Sequence, residues 1–185
     1  MKHTTISLCM ITLNEEEFIG RSIRNAKPYV DEIIVLDGGS TDRTVQIAKP
    51  AGAQVFHAKW PADFAKQRNR SLKYATKDWI LVMDADEFYE KSLLEKLQTW
   101  SQNTIGVDMF AFPRKNYLDG KQTDAYPDRQ MRFFPNYRGI KYVNKVHEKP
   151  VGYELIASPM KSHIIHKKTS LRQQRQNALY KTLGA

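Results

Sequence analysis

Three carboxylates follow an apolar run in the segment "LVMDADEFYE", which covers residues 81–90. Asp84 and Asp86 are two residues apart, so in a continuous strand both side chains would point to the same face. Neighbouring carboxylates repel each other, and a divalent cation with oxygen ligands relieves that repulsion. The spacing therefore favours a Mg²⁺ or Mn²⁺ site shared with substrate phosphates, although an isolated pair of this kind is more often a hydrated acidic turn.

The elements that must position these carboxylates alternate between two periodicities. Short apolar runs predict strands, and the segments between them show the apolar spacing of helices. The predicted strands cover residues 5–13, 32–37, 53–58 and 78–84, and the predicted helices cover residues 15–29, 40–52 and 63–76. Strands that alternate with helices of about a dozen residues predict right-handed crossovers and a mainly parallel sheet covered on both faces.

Two further polar segments, "TLNEEE" and "LDGGSTD", follow the first and second predicted strands. In open α/β sheets, ligands bind beyond the carboxyl ends of the strands, so all three segments should meet in one crevice. Gly38 and Gly39 allow the backbone to approach a ligand closely, and the helix start after them would offer free amide groups. This combination favours a phosphate or a nucleotide as the ligand.

The pattern changes after residue 86. A helix is predicted over residues 91–103, followed by a strand that runs to a polar turn at Asp119 and Gly120. Short strands are predicted at residues 129–135 and 160–166, and a weakly amphipathic helix at residues 170–183. The expected fold is therefore an α/β/α sandwich of the Rossmann-like kind, with a smaller, partly antiparallel C-terminal part.

The charge of the chain is unevenly distributed. The net charge is +9, and from Arg129 onward 12 Lys and Arg residues face only two acids. This basic part would suit a phosphorylated ligand or peripheral association with the inner face of a membrane, and without interleaved recognition motifs we expect no specific nucleic-acid binding. A cytoplasmic location is expected because no signal peptide or apolar membrane span is recognisable and the single cysteine, Cys9, suits a reducing compartment.

Three segments resemble family 2 glycosyltransferases of the GT-A fold: "ISLCMITLNEEEFIGRSI", "DEIIVLDGGSTDRTVQIA" and "AKQRNRSLKYATKDWILVMDADE". A weaker resemblance continues through "VHEK" and "HIIH", and the branch includes lipopolysaccharide-core β-glucosyltransferases and some peptide glycosyltransferases. The resemblance implies a single GT-A catalytic domain over residues 1–185. Its nucleotide-sugar-binding half would cover residues 1–104 and its acceptor-side half residues 105–185, with a further C-terminal module expected because typical members are longer.

The resemblance also implies the reaction, transfer of a hexose from a nucleotide-sugar, usually with inversion, to a glycan, lipid-linked or peptide acceptor of the cell envelope. The metal would be Mn²⁺ or Mg²⁺. Residues carried over by position to the nucleotide and its phosphates are Thr12, Asn14, Glu16, Asp37, Lys66 and Arg68. Asp84 would bind the ribose or the metal, and Asp86 the metal. Many members read Asp-Asp-Gly-Ser where this chain reads Asp37-Gly38-Gly39-Ser40, which leaves the base open, with a UDP-sugar expected first.

Transfer requires a base that removes the proton of the attacking acceptor group. Glu148, in "VHEK", is the predicted base because it is one of two acids in the basic part, and Asp128 is the reserve candidate. A surface ion pair of Glu148 with Lys145 or Lys149 is the alternative. His166 would complete the metal shell or touch the diphosphate, although a single His at a strand end is more often structural.

Two other functional classes remain open from the residues alone. A phosphohydrolase of the haloacid-dehalogenase type also ends an apolar strand in Asp-x-Asp, but normally on its first strand rather than its fourth. A non-catalytic module could use the basic C-terminal part to bind anionic surfaces. That reading leaves the three polar segments at the predicted strand ends unexplained.

Overall fold

A computed structural model describes residues 3–103, 106–123 and 126–184. The strands are β1 (Ile6–Thr12), β2 (Glu32–Asp37), β3 (Gln54–His57), β4 (Trp79–Val82), β5 (Glu87–Tyr89), β6 (Met109–Leu118), β7 (Lys121–Gln122), β8 (Asp128–Pro135), β9 (Lys141–Val143), β10 (Lys149–Val151), β11 (Ile156–Ala157) and β12 (Ile164–Lys168). The helices are α1 (Ile19–Ala26), α2 (Thr44–Ala51), α3 (Phe64–Leu72), α4 (Lys91–Leu94), α5 (Leu97–Asn103) and α6 (Ser170–Leu183).

The main sheet has the order β3-β2-β1-β4-β8-β6-β12-β5 within the described residues. The first four strands are parallel, and β8 then pairs antiparallel with both β4 and β6. Most strands of the second half thus extend the same sheet, while β9 and β10 form a separate two-stranded antiparallel sheet. This arrangement confirms the predicted α/β fold with a partly antiparallel C-terminal part.

The core lies on the two faces of this sheet. The strand β1 contributes Ile6, Leu8 and Met10 to one face and Cys9 to the other, as the two-residue period of a buried parallel strand requires. Phe133 and Phe134 of β8 are likewise buried on opposite faces, so both belong to the core.

The predicted elements are all present, with differences at three helices. The helix predicted from residue 15 begins at Ile19. The helix predicted from residue 40 begins at Thr44, because residues 40–43 form a loop bound to the end of β1, and it ends at Gly52 as predicted. The helix predicted over residues 91–103 is split into α4 and α5. No helix among the described residues has the length and apolar character needed to cross a membrane.

Candidate active site

The carboxyl ends of β1 and β4 open onto a crevice of about 890 Å³, as the parallel half of the sheet requires. Further lining residues come from α3, β6, β8, the β9–β10 loop, β12 and α6. Eight of the predicted site residues line it: Thr12, Asn14, Arg68, Asp84, Asp86, Asp128, Glu148 and His166. The site therefore combines both halves of the chain.

The two aspartates of "MDADE" both line the crevice, but they lie in a turn and not on the continuous strand that the prediction assumed. The strand β4 ends at Val82, and the backbone amide of Glu87 donates to the carbonyl of Asp84 across a turn. The hydroxyl of Ser22 anchors the turn by donating to the carbonyls of Ala85 (2.5 Å) and Glu87 (3.1 Å). Asp84 and Asp86 consequently contact different partners.

Asp84 is held by two buried arginines. Arg68 of α3 donates to its Oδ1 and Arg132 of β8 to its Oδ2, each at 2.7 Å. Although burial opposes ionisation, Arg132 and Arg68 keep the pKa of Asp84 well below its usual range. Both oxygens of Asp84 are thus engaged by cations, which makes this residue an anchor for Arg68 rather than an open metal ligand.

Glu87 completes the same network from beneath the site. Its side chain is fully buried and accepts hydrogen bonds from Arg132 (2.8 Å) and Arg114 (2.9 Å). It opens β5 and lies behind Asp84, because Arg132 contacts both carboxylates.

Asp86 faces His166 across the crevice, with 3.2 Å between its Oδ2 and the ring Nε2. Two neighbouring ligands of an octahedral ion with bonds of about 2.1 Å lie about 3 Å apart, so this pair fits a shared Mg²⁺ or Mn²⁺. The Nδ1 of His166 lies 2.7 Å from Oδ1 of Asn116, an acceptor that fixes the proton on Nδ1 and leaves Nε2 for a metal.

The three predicted metal ligands, Asp84, Asp86 and His166, do not form one cluster. No cluster of three or more His, Cys, Asp or Glu side chains suited to a metal occurs among the described residues. Asp84 is turned towards its arginines, so of the three predicted ligands only Asp86 and His166 face each other. Such a pair suits an ion that keeps several waters and binds substrate phosphates.

The helix α6 brings an additional cation to this position. Arg172 contacts both carboxylate oxygens of Glu15 at 2.7 Å and approaches Oδ2 of Asp86 at 3.3 Å. Burial raises the pKa of Glu15 to about 7, with Arg172 opposing the shift and the charge of Asp86 adding to it. Negative charge at the end of β1 is therefore balanced by a residue 157 positions later in the chain.

Glu148 and Asp128, the two predicted bases, lie in different environments. The Oε1 of Glu148 accepts a 2.7 Å bond from Arg68, so the alternative of a surface pair with Lys145 or Lys149 is wrong. Asp128 accepts hydrogen bonds from Arg114, Asn116 and Gln130. Despite partial burial, the bonds from Asn116 and Arg114 hold the pKa of Asp128 below its usual value, which disfavours it as a base.

The loop after β2 is stabilised by its own polar side chains. Asp37 is buried and accepts from the amides of Gly39 and Ser40, both at 3.0 Å, and it does not line the crevice. The Oδ1 of Asn14 accepts from the amides of Thr41 (2.8 Å) and Asp42 (3.4 Å). The expectation of free amide groups before α2 is therefore wrong, because side chains already bind them.

Two predicted site residues point away from the crevice. Glu16 is exposed and accepts from Arg43 at 3.0 Å, whereas Glu15 and Glu17 line the crevice. Lys66 is exposed on α3, while Arg68, two residues later, is buried within the site. Residues two apart on a helix face different directions, so these two basic side chains cannot share one ligand site.

Several lining residues were not predicted from the sequence: Glu15, Arg114, Arg132, Lys168, Arg172 and Tyr180. For Arg132, Lys168 and Arg172 the signal was the excess of positive charge from Arg129 onward, and Arg114 lies before that segment. Aromatic side chains also line the crevice, with Phe64 between Trp60 (4.7 Å between ring centroids) and Tyr180 (5.8 Å). These contacts join α3 to α6 and depend on tertiary packing.

Residues 7–154 match the family model described as glycosyl transferase family 2. A TPR repeat-containing protein of Synechococcus elongatus is 38% identical over 77% of the chain and 34% of its own length. The SPbeta prophage-derived glycosyltransferase SunS of Bacillus subtilis is 33% identical over 80% of the chain and 35% of its own length. The chain thus spans about a third of the length of these curated relatives.

Solved structures share the fold. Glucosyl-3-phosphoglycerate synthase from Mycobacterium tuberculosis, in complex with Mn²⁺, UDP-glucose and phosphoglyceric acid, aligns with a TM-score of 0.54 and 27% identity. The alignment covers 60% of this chain and 44% of that one. A crystal structure of a mycobacterial protein aligns with a TM-score of 0.55 and 29% identity, over 61% of this chain and 42% of that one.

Proposed function

The chain belongs to glycosyl transferase family 2, and we propose that it transfers a hexose from a UDP-sugar, with inversion, to a glycan, lipid-linked or peptide acceptor. The observation that carries the proposal is the pairing of Asp86 with an oriented His166 in a crevice formed by the β1 and β4 ends. The UDP-glucose and Mn²⁺ in the mycobacterial synthase support the choice of donor and metal.

Asp86 and His166 would hold the divalent cation, Asn116 would orient the imidazole, and waters and diphosphate oxygens would complete the shell. When bound, the cation supplies positive charge that stabilises the diphosphate leaving group. The chain already encloses this position, since Asp86 and His166 are both largely buried. Electrostatic stabilisation is strong where water is excluded in this way.

Glu148 is the proposed base. Arg68 holds one of its oxygens, and the same guanidinium holds Asp84, so the turn after β4 and the β9–β10 loop share one rigid cation. Fixing the carboxylate in the crevice reduces the reorganisation needed when it accepts the acceptor's proton. Asp128 is less suited, because both of its oxygens already accept hydrogen bonds.

The first experiment is a thermal-shift screen of nucleotide-sugars with Mn²⁺ and Mg²⁺, because a ligand that binds only the native state raises its stability by mass action. We expect UDP-sugars with either metal to stabilise the protein. Stabilisation by another nucleotide, and none by UDP, would show that the assigned donor base is wrong.

Two substitutions then separate the assigned roles. Asp86→Asn should abolish metal-dependent donor hydrolysis and transfer, because a neutral amide is a weaker ligand for a hard cation. Glu148→Gln should keep UDP binding but lower transfer by about 100-fold or more, the usual contribution of a positioned base. Glu95→Gln, an exposed acid on the surface, is the matched control for both. Transfer that survives Glu148→Gln would place the base elsewhere.

A further inference from the structure

The first turn of α6 is fixed at the crevice by contacts on both sides. Thr169 caps the helix by accepting from the amide of Arg172, and Asp119 accepts from the amide of Ser170 at 2.9 Å. The guanidinium of Arg172 lies 4.9 Å from the ring centroid of Phe18. Residues 7–154 carry the family match, so α6 and Arg172 lie outside it.

The contacts of Arg172 with its two carboxylates are unequal. Its Nη2 is 2.7 Å from each oxygen of Glu15 but 3.3 Å from Oδ2 of Asp86. Charge-assisted hydrogen bonds are strongest at the shorter of these distances. Glu15 therefore anchors the guanidinium, and Asp86 makes the weaker contact that a metal ion could replace without releasing Arg172.

A donor diphosphate would add negative charge beside this guanidinium. Asp84, another nearby carboxylate, is already matched by Arg68 and Arg132, whereas Arg172 directly contacts Asp86 of the Asp86 and His166 pair. A guanidinium has five donors in a planar fork that suits phosphate oxygens, so contacts with Glu15 do not exhaust it.

We propose that Arg172, anchored by Glu15, is a second cation on the donor diphosphate and stabilises the leaving group together with the metal. Arg172 is then a catalytic residue supplied by α6, and Glu15 is its positioning residue. The inference rests on the proposed function, since it requires a nucleoside diphosphate in the crevice. It assigns to Glu15 a purpose other than metal binding.

The test is calorimetry at pH 8, where Glu15 is ionised, with Mn²⁺ alone and then with UDP at saturating Mn²⁺. Arg172→Gln should bind Mn²⁺ alone at least as tightly as the unmodified protein, because a competing cation leaves Asp86. Its UDP affinity should fall by about 10- to 100-fold, the usual value of a charged hydrogen bond. The UDP affinity of Arg172→Lys should lie between those of the unmodified protein and Arg172→Gln.

Glu15→Gln should have the opposite effect on the affinity for Mn²⁺ alone. Once its anchor is neutral, Arg172 is free to move onto Asp86, so Mn²⁺ alone should bind more weakly. Lys181→Gln removes one positive charge from an exposed position of the same helix and should change neither affinity. A merely structural ion pair would instead lower the melting temperature and weaken Mn²⁺ binding in the same direction in both variants.

The outcomes separate this inference from the proposed function. UDP binding by Arg172→Gln that equals that of the unmodified protein overturns the role of Arg172, as does a matching loss of Mn²⁺ affinity in both variants. If the unmodified protein binds no UDP in the presence of Mn²⁺, the proposed function itself fails. Should Arg172→Gln not fold, Arg172→Lys decides, because an unchanged UDP affinity there also overturns the proposal.

Discussion

Arg132→Met removes the cation on which the turn after β4 depends. The guanidinium donates to Asp84 at 2.7 Å and to Glu87 at 2.8 Å, and all three groups lie in or beneath the crevice. Arg132 is 4% exposed and Glu87 is fully buried, so water cannot replace the lost partner. Methionine keeps much of the length of the side chain, and the substitution therefore tests charge more than volume.

Removing one partner of a buried ion pair costs about 3–5 kcal/mol, because the remaining charge is left uncompensated. Here Asp84 keeps Arg68 and Glu87 keeps Arg114, which places the expected loss near the lower value, about 3 kcal/mol. With a urea dependence of about 2 kcal/mol per molar, the unfolding midpoint should fall by about 1.5 M.

The assay is urea unfolding followed by circular dichroism, with Arg43→Met as the control. Arg43 pairs with Glu16 at 3.0 Å, but both side chains are exposed, so its loss should cost at most about 1 kcal/mol. Adding Glu87→Gln to Arg132→Met should recover part of the loss by removing a buried charge. Equal midpoint shifts for Arg132→Met and Arg43→Met would refute the reasoning.

Two further predictions concern stability away from the crevice. Gly52→Ala should lower the free energy of unfolding by about 1–2 kcal/mol, because Gly52 ends α2 at φ +110°, and an unchanged urea midpoint would contradict this. The second prediction concerns Glu32: burial opposes its ionisation, but hydrogen bonds from Ser7 and Thr76 lower its pKa in the folded state. The stability that ionised Glu32 contributes is therefore present above pH about 4.5 and is lost as the pH falls below that value. Glu32→Gln should therefore lower the free energy of unfolding at pH 7, and by progressively less as the pH falls below 4.5. An equal loss at pH 3 and pH 7 would show that the hydrogen bonds to the ionised carboxylate are not its cause.

Local pattern was sufficient for the elements and for the edge of the sheet that carries the site. The two-residue period of β1 and the helix stop at Gly52 are properties of neighbouring residues, and parallel strands place their carboxyl ends together. Chain order alone therefore brought "TLNEEE" and "MDADE" to one crevice. The family resemblance identified Arg68 as a site residue and indicated the class of reaction.

Local sequence pattern could not predict which way a side chain in a turn or loop points. Glu15 and Glu16 are identical in type and adjacent, yet one enters the crevice and the other binds Arg43 on the surface. The prediction that Asp84 and Asp86 share a face assumed a strand that in fact ends at Val82. They lie instead in a turn held by Ser22, more than 60 residues away in sequence, and contact different partners.

The sequence by itself determined the α/β alternation, the acidic strand ends and the excess of positive charge in the later part of the chain. Only the tertiary structure decided which cation meets which carboxylate: Arg132 with Asp84 and Glu87, and Arg172 with Glu15. The physical reason is that an ion pair acts over a few ångströms and leaves no periodic trace in the sequence. Its partners are set by strand order and by the packing of α6, which bring residues far apart in the chain to one point.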